Sequence, residues 1–144
     1  MSYAPEKTIN GTFGEAWIDD YYVAEVTALE AKVTLEKTDV NQVGTLAKGQ
    51  KVTGLDGKGT LKFNKVTSFF TNKFSADMQA GKATVCEIKS KLADPDSDGD
   101  EYIKLIGVVF DELPLINWEA KKLGEESVPF SFTGWELIDT IPEL

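Results

Sequence analysis

The chain of 144 residues has no histidine, no arginine and one cysteine, Cys86. Without histidine the usual general base near neutral pH is missing, which excludes Ser-His-Asp and Cys-His catalysis and most zinc sites. Without arginine there is no planar fork to clamp phosphate or to read a base pair, so specific nucleic-acid binding is not expected. A single cysteine permits no internal disulfide and suits a reducing compartment. Lying within an apolar strand pattern, Cys86 reads as a small core residue and not as a nucleophile. Long apolar runs are also lacking: nothing approaches the roughly 18 residues of a membrane span. The opening MSYAPEKTING has neither the basic flank nor the apolar run of a secretory signal. The expectation is a chain made in the cytoplasm, with no membrane anchor.

What is present is acidic and globular. All 15 positive charges are lysines, set against 24 carboxylates for a net charge of −9. Such a surface repels DNA, RNA and anionic membranes and gains nothing from counterion release. Apolar residues at 42 % and aromatics at 10 % belong to a folded chain, and the length suits one domain over 1–144.

Along that domain, residues 1–11 are polar and carry Pro5, Asn10 and Gly11, an arm with no core of its own that orders on a partner. TFGEAWID from Thr12 to Asp19, a turn at Asp19-Asp20 and Tyr21-Tyr22-Val23 form a first hairpin. From Ala24 to Lys37 the spacing of Val26, Leu29 and Val33 fits a helix. Against that, Leu29, Ala31, Val33 and Leu35 alternate with Glu30, Lys32, Thr34 and Glu36, the pattern of a half-buried strand, which is preferred. Residues 38–60, with Gly44, Gly49, Gly54, Gly57 and Gly59, read as a long exposed hairpin or loop. Thr60 to Val66 alternates again. One helix follows over 67–80: Val66, Phe69, Phe70, Phe74 and Met78 form its core stripe, Thr67 or Ser68 caps it and Gly81 ends it. ATVCEIKSKL, the turn DPDSDGDE and YIKLIGVVF make two further strands, and VPFSFTGWELID the last, for about six or seven strands in all.

Two motifs invite a chemical reading. GLDGKGT at Gly54 to Thr60 is glycine-rich but lacks the glycine spacing, the Lys-Thr pair and the following helix of a phosphate loop. Asp94, Asp96, Asp98 and Gly99 spell the opening of a calcium loop. Its twelfth position, however, is Leu105 where a bidentate glutamate is required, Pro95 stands second, and strands flank it instead of helices. An acidic hairpin turn is the preferred reading, with Asp94, Asp96 and Asp98 as a weak candidate cation site. No spacing selects a catalytic carboxylate pair, so no enzyme and no cofactor is expected.

Read in order, NGTFGEAWIDD with VAEV, VTGLDGKGTLKFNKVTSFF, KLADPDSDGDEYI, FDELPLINWE and VPFSFTGWELID resemble the tube proteins of contractile phage tails. The likeness is to the tube subunits of the Bacillus PBSX element and of clostridial phages and phage-tail-like bacteriocins, and it covers about residues 10–140. It implies a mainly β subunit of two packed antiparallel sheets, a sandwich or barrel with one flanking helix. Six copies would form a ring, and rings would stack into a tube with a hollow acidic lumen for DNA, or for ions in a bacteriocin. The implied partners are further copies of the chain, the tail sheath, the baseplate or initiator, the terminator and the tape measure protein, with DNA only in transit, and the place is the virion tail. The reaching loop would be drawn from Gly44, Lys51, Gly54, Asp56, Gly57, Lys58 and Gly59, with Phe69, Phe70, Phe74 and Met78 as the core of the helix. The alternative from a different class is a small calcium-binding β-module built on the Asp94 turn.

Overall fold

Alternating apolar and polar residues carry most of this chain into extended structure, because successive side chains of a strand face opposite sides of a sheet. The computed structural model describes residues 3–144. After 3-10 turns at Pro5–Lys7 and Gly11–Phe13, the elements are β1 (Gly14–Ile18), β2 (Tyr21–Tyr22), β3 (Val26–Val40), β4 (Gly49–Asn64), α1 (Phe69–Gln79), β5 (Cys86–Leu92), β6 (Glu101–Phe110), β7 (Glu125–Phe132) and β8 (Gly134–Asp139). All pairings are antiparallel, in the order β2-β1-β5-β6-β7-β4-β3, with β8 also beside β6.

Strand β6 joins two sheets. Its first half, Tyr102 to Ile106, pairs with β8, and its last residues, Val109 and Phe110, pair with β7. Between them sits Gly107 at φ +67, where a Cβ would collide with the Thr133 side chain. This is a bulge at which the partner strand changes sheet, and glycine supplies the left-handed backbone it needs.

The turn at Asp19 and Asp20 places both residues at positive φ (46 and 69), as a two-residue hairpin loop with the right twist requires. Side chains fasten it: Asp19 Oδ1 accepts the Glu87 backbone N–H at 2.8 Å, and Asp19 also pairs with Lys73 at 3.1 Å.

The core lies between the two sheets and under α1. Ile18, Leu61, Ile88, Val108, Val128 and Phe130 are all but sealed from solvent. Phenylalanines run through it: Phe63 stacks on Phe70 at 4.7 Å, Phe70 and Phe74 both meet Phe110, and Phe110 meets Phe130 at 5.7 Å. Each such ring contributes about 1.5–3 kcal/mol by burial, and the pairs add about 0.5–1.5.

The helix ends in a Schellman motif. Gly81 at φ +71 donates to the Met78 carbonyl at 3.1 Å and Lys82 donates to that of Asp77 at 2.8 Å. Its start is fastened through Thr67, whose Oγ1 accepts the Phe69 N–H at 3.4 Å. The expected stripe is narrower than the spacing suggests. Phe70 and Phe74 are buried and Phe69 packs at the margin against Tyr21, whereas Met78 is 37 % exposed and Val66 precedes the helix, open to solvent. Only the single i, i+4 step in the middle of this short helix faces the buried cluster.

The glycine-rich stretch is strand over most of its length. Gly54, Gly57 and Gly59 lie in β4, and residues 41–48 form the loop. At Gly57 a Cβ would stand 2.7 Å from the Phe132 ring, and at Gly59 it would collide with the Phe130 ring and the Glu30 carbonyl. These glycines are slots for the aromatic rings directly across the ladder on β7.

The polar arm, which has no core of its own, is tied in its described residues to the same chain. Residues 3–13 are mostly exposed yet lie fastened to their own chain, with the Asn10 N–H on Asp94 at 2.8 Å and Lys7 on Asp98 at 3.5 Å. Met1 and Ser2 fall outside the described residues.

The packing predicts a contrast within one helix. Phe74→Ala lowers the unfolding free energy by about 3–5 kcal/mol, while Met78→Ala changes it by less than about 1 kcal/mol; urea titration of the unassembled protein reads both.

Candidate functional site

One uncovered surface is the outer half of the β3–β4 hairpin. β7 pairs with β4 only from Gly57 to Asn64, so beyond Gly57 the two strands form a ribbon without a third strand. Alternation continues along it regardless: Leu35 and Leu55 lie on the same face as Leu29, Val33 and the buried Leu61 further in, but here none of the described residues covers them. At the tip Val43 and Leu46 are fully exposed. Of the expected reaching-loop residues, Gly44 lies in the loop at φ +83, Lys51, Gly54 and Asp56 lie in the free ribbon, and Asp56 forms a 3.8 Å ion pair with Lys58 just inside the packed base. Gly57 and Gly59 belong instead to the packed base.

A second surface is the open mouth of the sandwich. Leu29, Val33 and Phe132 face Ile103, Trp135 and Leu137 across a cleft of about 370 Å³. Trp135 is 45 % exposed and Leu137 58 %, an arrangement seldom left to solvent in a monomer. A third is the segment 111–124, which leads into β7. Leu115, Ile116, Trp118 and Leu123 stand out of it, beside a depression of about 370 Å³ lined by Lys62, Glu119 and Glu125.

The sequence reading passed over both of these surfaces. The run LPLINW was the available signal, since apolar residues without strand alternation have no sheet face on which to be buried.

These are surfaces for packing, and among the described residues no group of three potential ligands converges to hold a metal ion. The family model of phage tail tube proteins matches residues 1–139. The chain belongs to the phage tail tube protein family. It is similar to the Bacillus subtilis (strain 168) phage-like element PBSX protein XkdM, with 30 % identity over 99 % of each chain.

Solved structures share the fold at 10 % identity, two of them as follows. One is from the sheath-tube complex of an extracellular contractile injection system, PVC, in its extended state, with a TM-score of 0.72 over 94 % of this chain and 95 % of that one. The other is from the six-fold symmetrised baseplate of the anti-feeding prophage, with a TM-score of 0.62 over 87 % and 90 %. The tail tube protein is thus a structural subunit and not an enzyme, and no helix among its described residues is long and apolar enough to cross a membrane.

In this tail tube protein the acidic turn is an anchor. Asp94 is buried, and both its carboxylate oxygens accept backbone N–H groups, Oδ1 from Asp96 at 2.9 Å and Oδ2 from Asn10 at 2.8 Å. Ser97 Oγ, 2.7 Å from the Asp94 and Gly99 carbonyls, closes the turn. With Asp98 turned to Lys7, the three aspartates of the candidate calcium turn are not brought together around one point. The spacing resembled a cation loop because alternate aspartates suit a tight turn equally well.

Cys86 is buried in the core with its Sγ 3.5 Å from the Val108 carbonyl, and burial pushes its thiol up to about 12. Lys89, hydrogen-bonded to Asp20 at 2.8 Å, lowers the Asp20 carboxyl and is itself raised. That pair is exposed and contributes at the surface only.

Calcium at millimolar concentration leaves the melting temperature unchanged, whereas Asp94→Ala costs about 1–3 kcal/mol through the backbone donors it orphans; scanning fluorimetry with and without the ion checks both. Cys86 in the native protein resists a thiol reagent at pH 8 and reacts once urea unfolds it. Its folded pKa lies above the ordinary 9.0, so the stability held by the neutral thiol is complete below about pH 9 and lost as pH rises toward 12.

Proposed function

We propose that six copies of this tail tube protein close into a ring and that rings stack into the inner tube of a contractile phage or phage-like tail. The observation that carries this reading is β3. It is 15 residues long, its outer edge has no partner strand among the described residues, and it stands beside an apolar ribbon face that is equally uncovered. Such an edge templates aggregation in a monomer and is satisfied when neighbouring sheets close into a barrel. The family assignment, the likeness to a sheath-tube complex and the six-fold symmetry of the matched baseplate support the assembly and the copy number.

The domain 1–144 acts as one subunit, with the hairpin around residues 38–60 and the segment 1–11 as its contacting parts. The lumen is acidic, as a net charge of −9 without arginine favours. DNA, or ions if the particle is a bacteriocin, then passes without finding bidentate donors or a gain from counterion release. The partners are the sheath outside, the baseplate or initiator and the terminator at the ends, and the tape measure protein in the lumen before DNA. The subunit is made in the host cytoplasm and resides in the virion tail.

Negative-stain electron microscopy across a concentration series, with light scattering for mass, tests the proposal. Rings or hollow tubes with six-fold end views are expected, seeded where necessary by an initiator complex. A monodisperse monomer at every concentration, with the seed present, overturns it.

A further inference from the structure

Two of the uncovered surfaces are opposite in charge and lie at opposite ends of one strand pair. The hairpin tip, residues 37–51, holds three lysines (Lys37, Lys48, Lys51) against one carboxylate (Asp39), a net of +2 in a chain of net −9. Segment 111–126 holds five carboxylates, among them Glu119 and Glu125, against Lys121 and Lys122, a net of −3. Both carry bare apolar side chains, Val43 and Leu46 on the tip and Ile116, Trp118 and Leu123 on the segment.

The acidic segment sits at the base of the hairpin, where Lys65 donates to the Gly124 carbonyl at 2.8 Å and Asn64 pairs with Glu125. The tip is at the far end of the 16-residue β4, roughly 50 Å away at about 3.3 Å per residue. Within one chain the two cannot meet.

We infer that the tip of one copy seats on the 111–126 segment of a second copy in the adjoining ring, with Val43 and Leu46 packed against Trp118 and Leu123 and with Lys48 and Lys51 facing Glu119 and Glu125. This rests on the tube reading and names the acceptor for its reaching hairpin. A contact between two different patches of the same chain is heterologous, and repeated along the hairpin direction it does not close on itself. It therefore adds ring upon ring with one polarity. Trp118, 85 % exposed, is the anchor type that carries most of the energy of an interface, and the charges fix the orientation and reject tip against tip.

The experiment uses the full chain, seeded as above. Lys48→Glu with Lys51→Glu, and separately Glu119→Lys with Glu125→Lys, each arrest stacking while leaving the melting temperature of the unassembled protein unchanged, since all four side chains are exposed. The chain carrying all four substitutions restores tubes, because tip and acceptor are complementary again. Trp118→Ala raises the concentration needed for tubes by about tenfold or more. Tubes from either double variant at the wild-type concentration, or no recovery in the fourfold variant, overturn the docking while leaving the tube reading in place. A seeded wild-type chain that forms no tubes overturns the tube reading and this inference with it.

Discussion

Six phenylalanines in contact hold the two sheets, the helix and the hairpin together. Phe63 on β4 meets Phe70 on α1; Phe70 and Phe74 meet Phe110 on β6; Phe110 meets Phe130 and Phe130 meets Phe132 on β7. The last two fit only because Gly57 and Gly59 on β4 offer no Cβ opposite them. Large rings on one strand and bare backbone on its neighbour let β7 lie flat against β4, and that contact fixes where packed sheet ends and free ribbon begins. The projection of the hairpin therefore depends on a packing event at its base.

Beyond that point the same alternation continues without anything to bury it. Leu35 and Leu55 carry the inward face of the ladder out into solvent, while the opposite face holds its ion pairs at and inside the packed base, Lys32 with Glu30 and Lys58 with Asp56. A strand pair with one apolar face and one open edge is incomplete alone, and a structural subunit can be incomplete without harm if the missing surface belongs to another copy. The distribution of charge agrees: a tip of net +2 emerges from a strongly acidic body, so copies repel through most of their surface and attract through little of it.

The acidic turn and the lone cysteine are accounted for within the fold. Asp94 spends both oxygens on backbone donors and thereby holds the amino-terminal segment to the sheet. Cys86 fills a small buried site, and its raised pKa is the consequence of that burial.

The sequence by itself determined the sheet-rich fold, the Asp19-Asp20 turn, the helix near residue 70 and the absence of histidine and arginine chemistry. These follow from local periodicity and from residue types, which need no knowledge of distant neighbours. Its resemblance to tail tube proteins rests on ordered segments of the same kind. Only the tertiary structure decided that Gly57 and Gly59 are strand residues beneath Phe132 and Phe130, that Met78 lies outside the core and that Asp94 serves Asn10, 84 residues away. It also decided which apolar residues stay bare, among them Trp118 and Trp135. Burial and cross-strand fit are properties of what lies opposite a residue, and strand alternation names a residue's face without naming its neighbour.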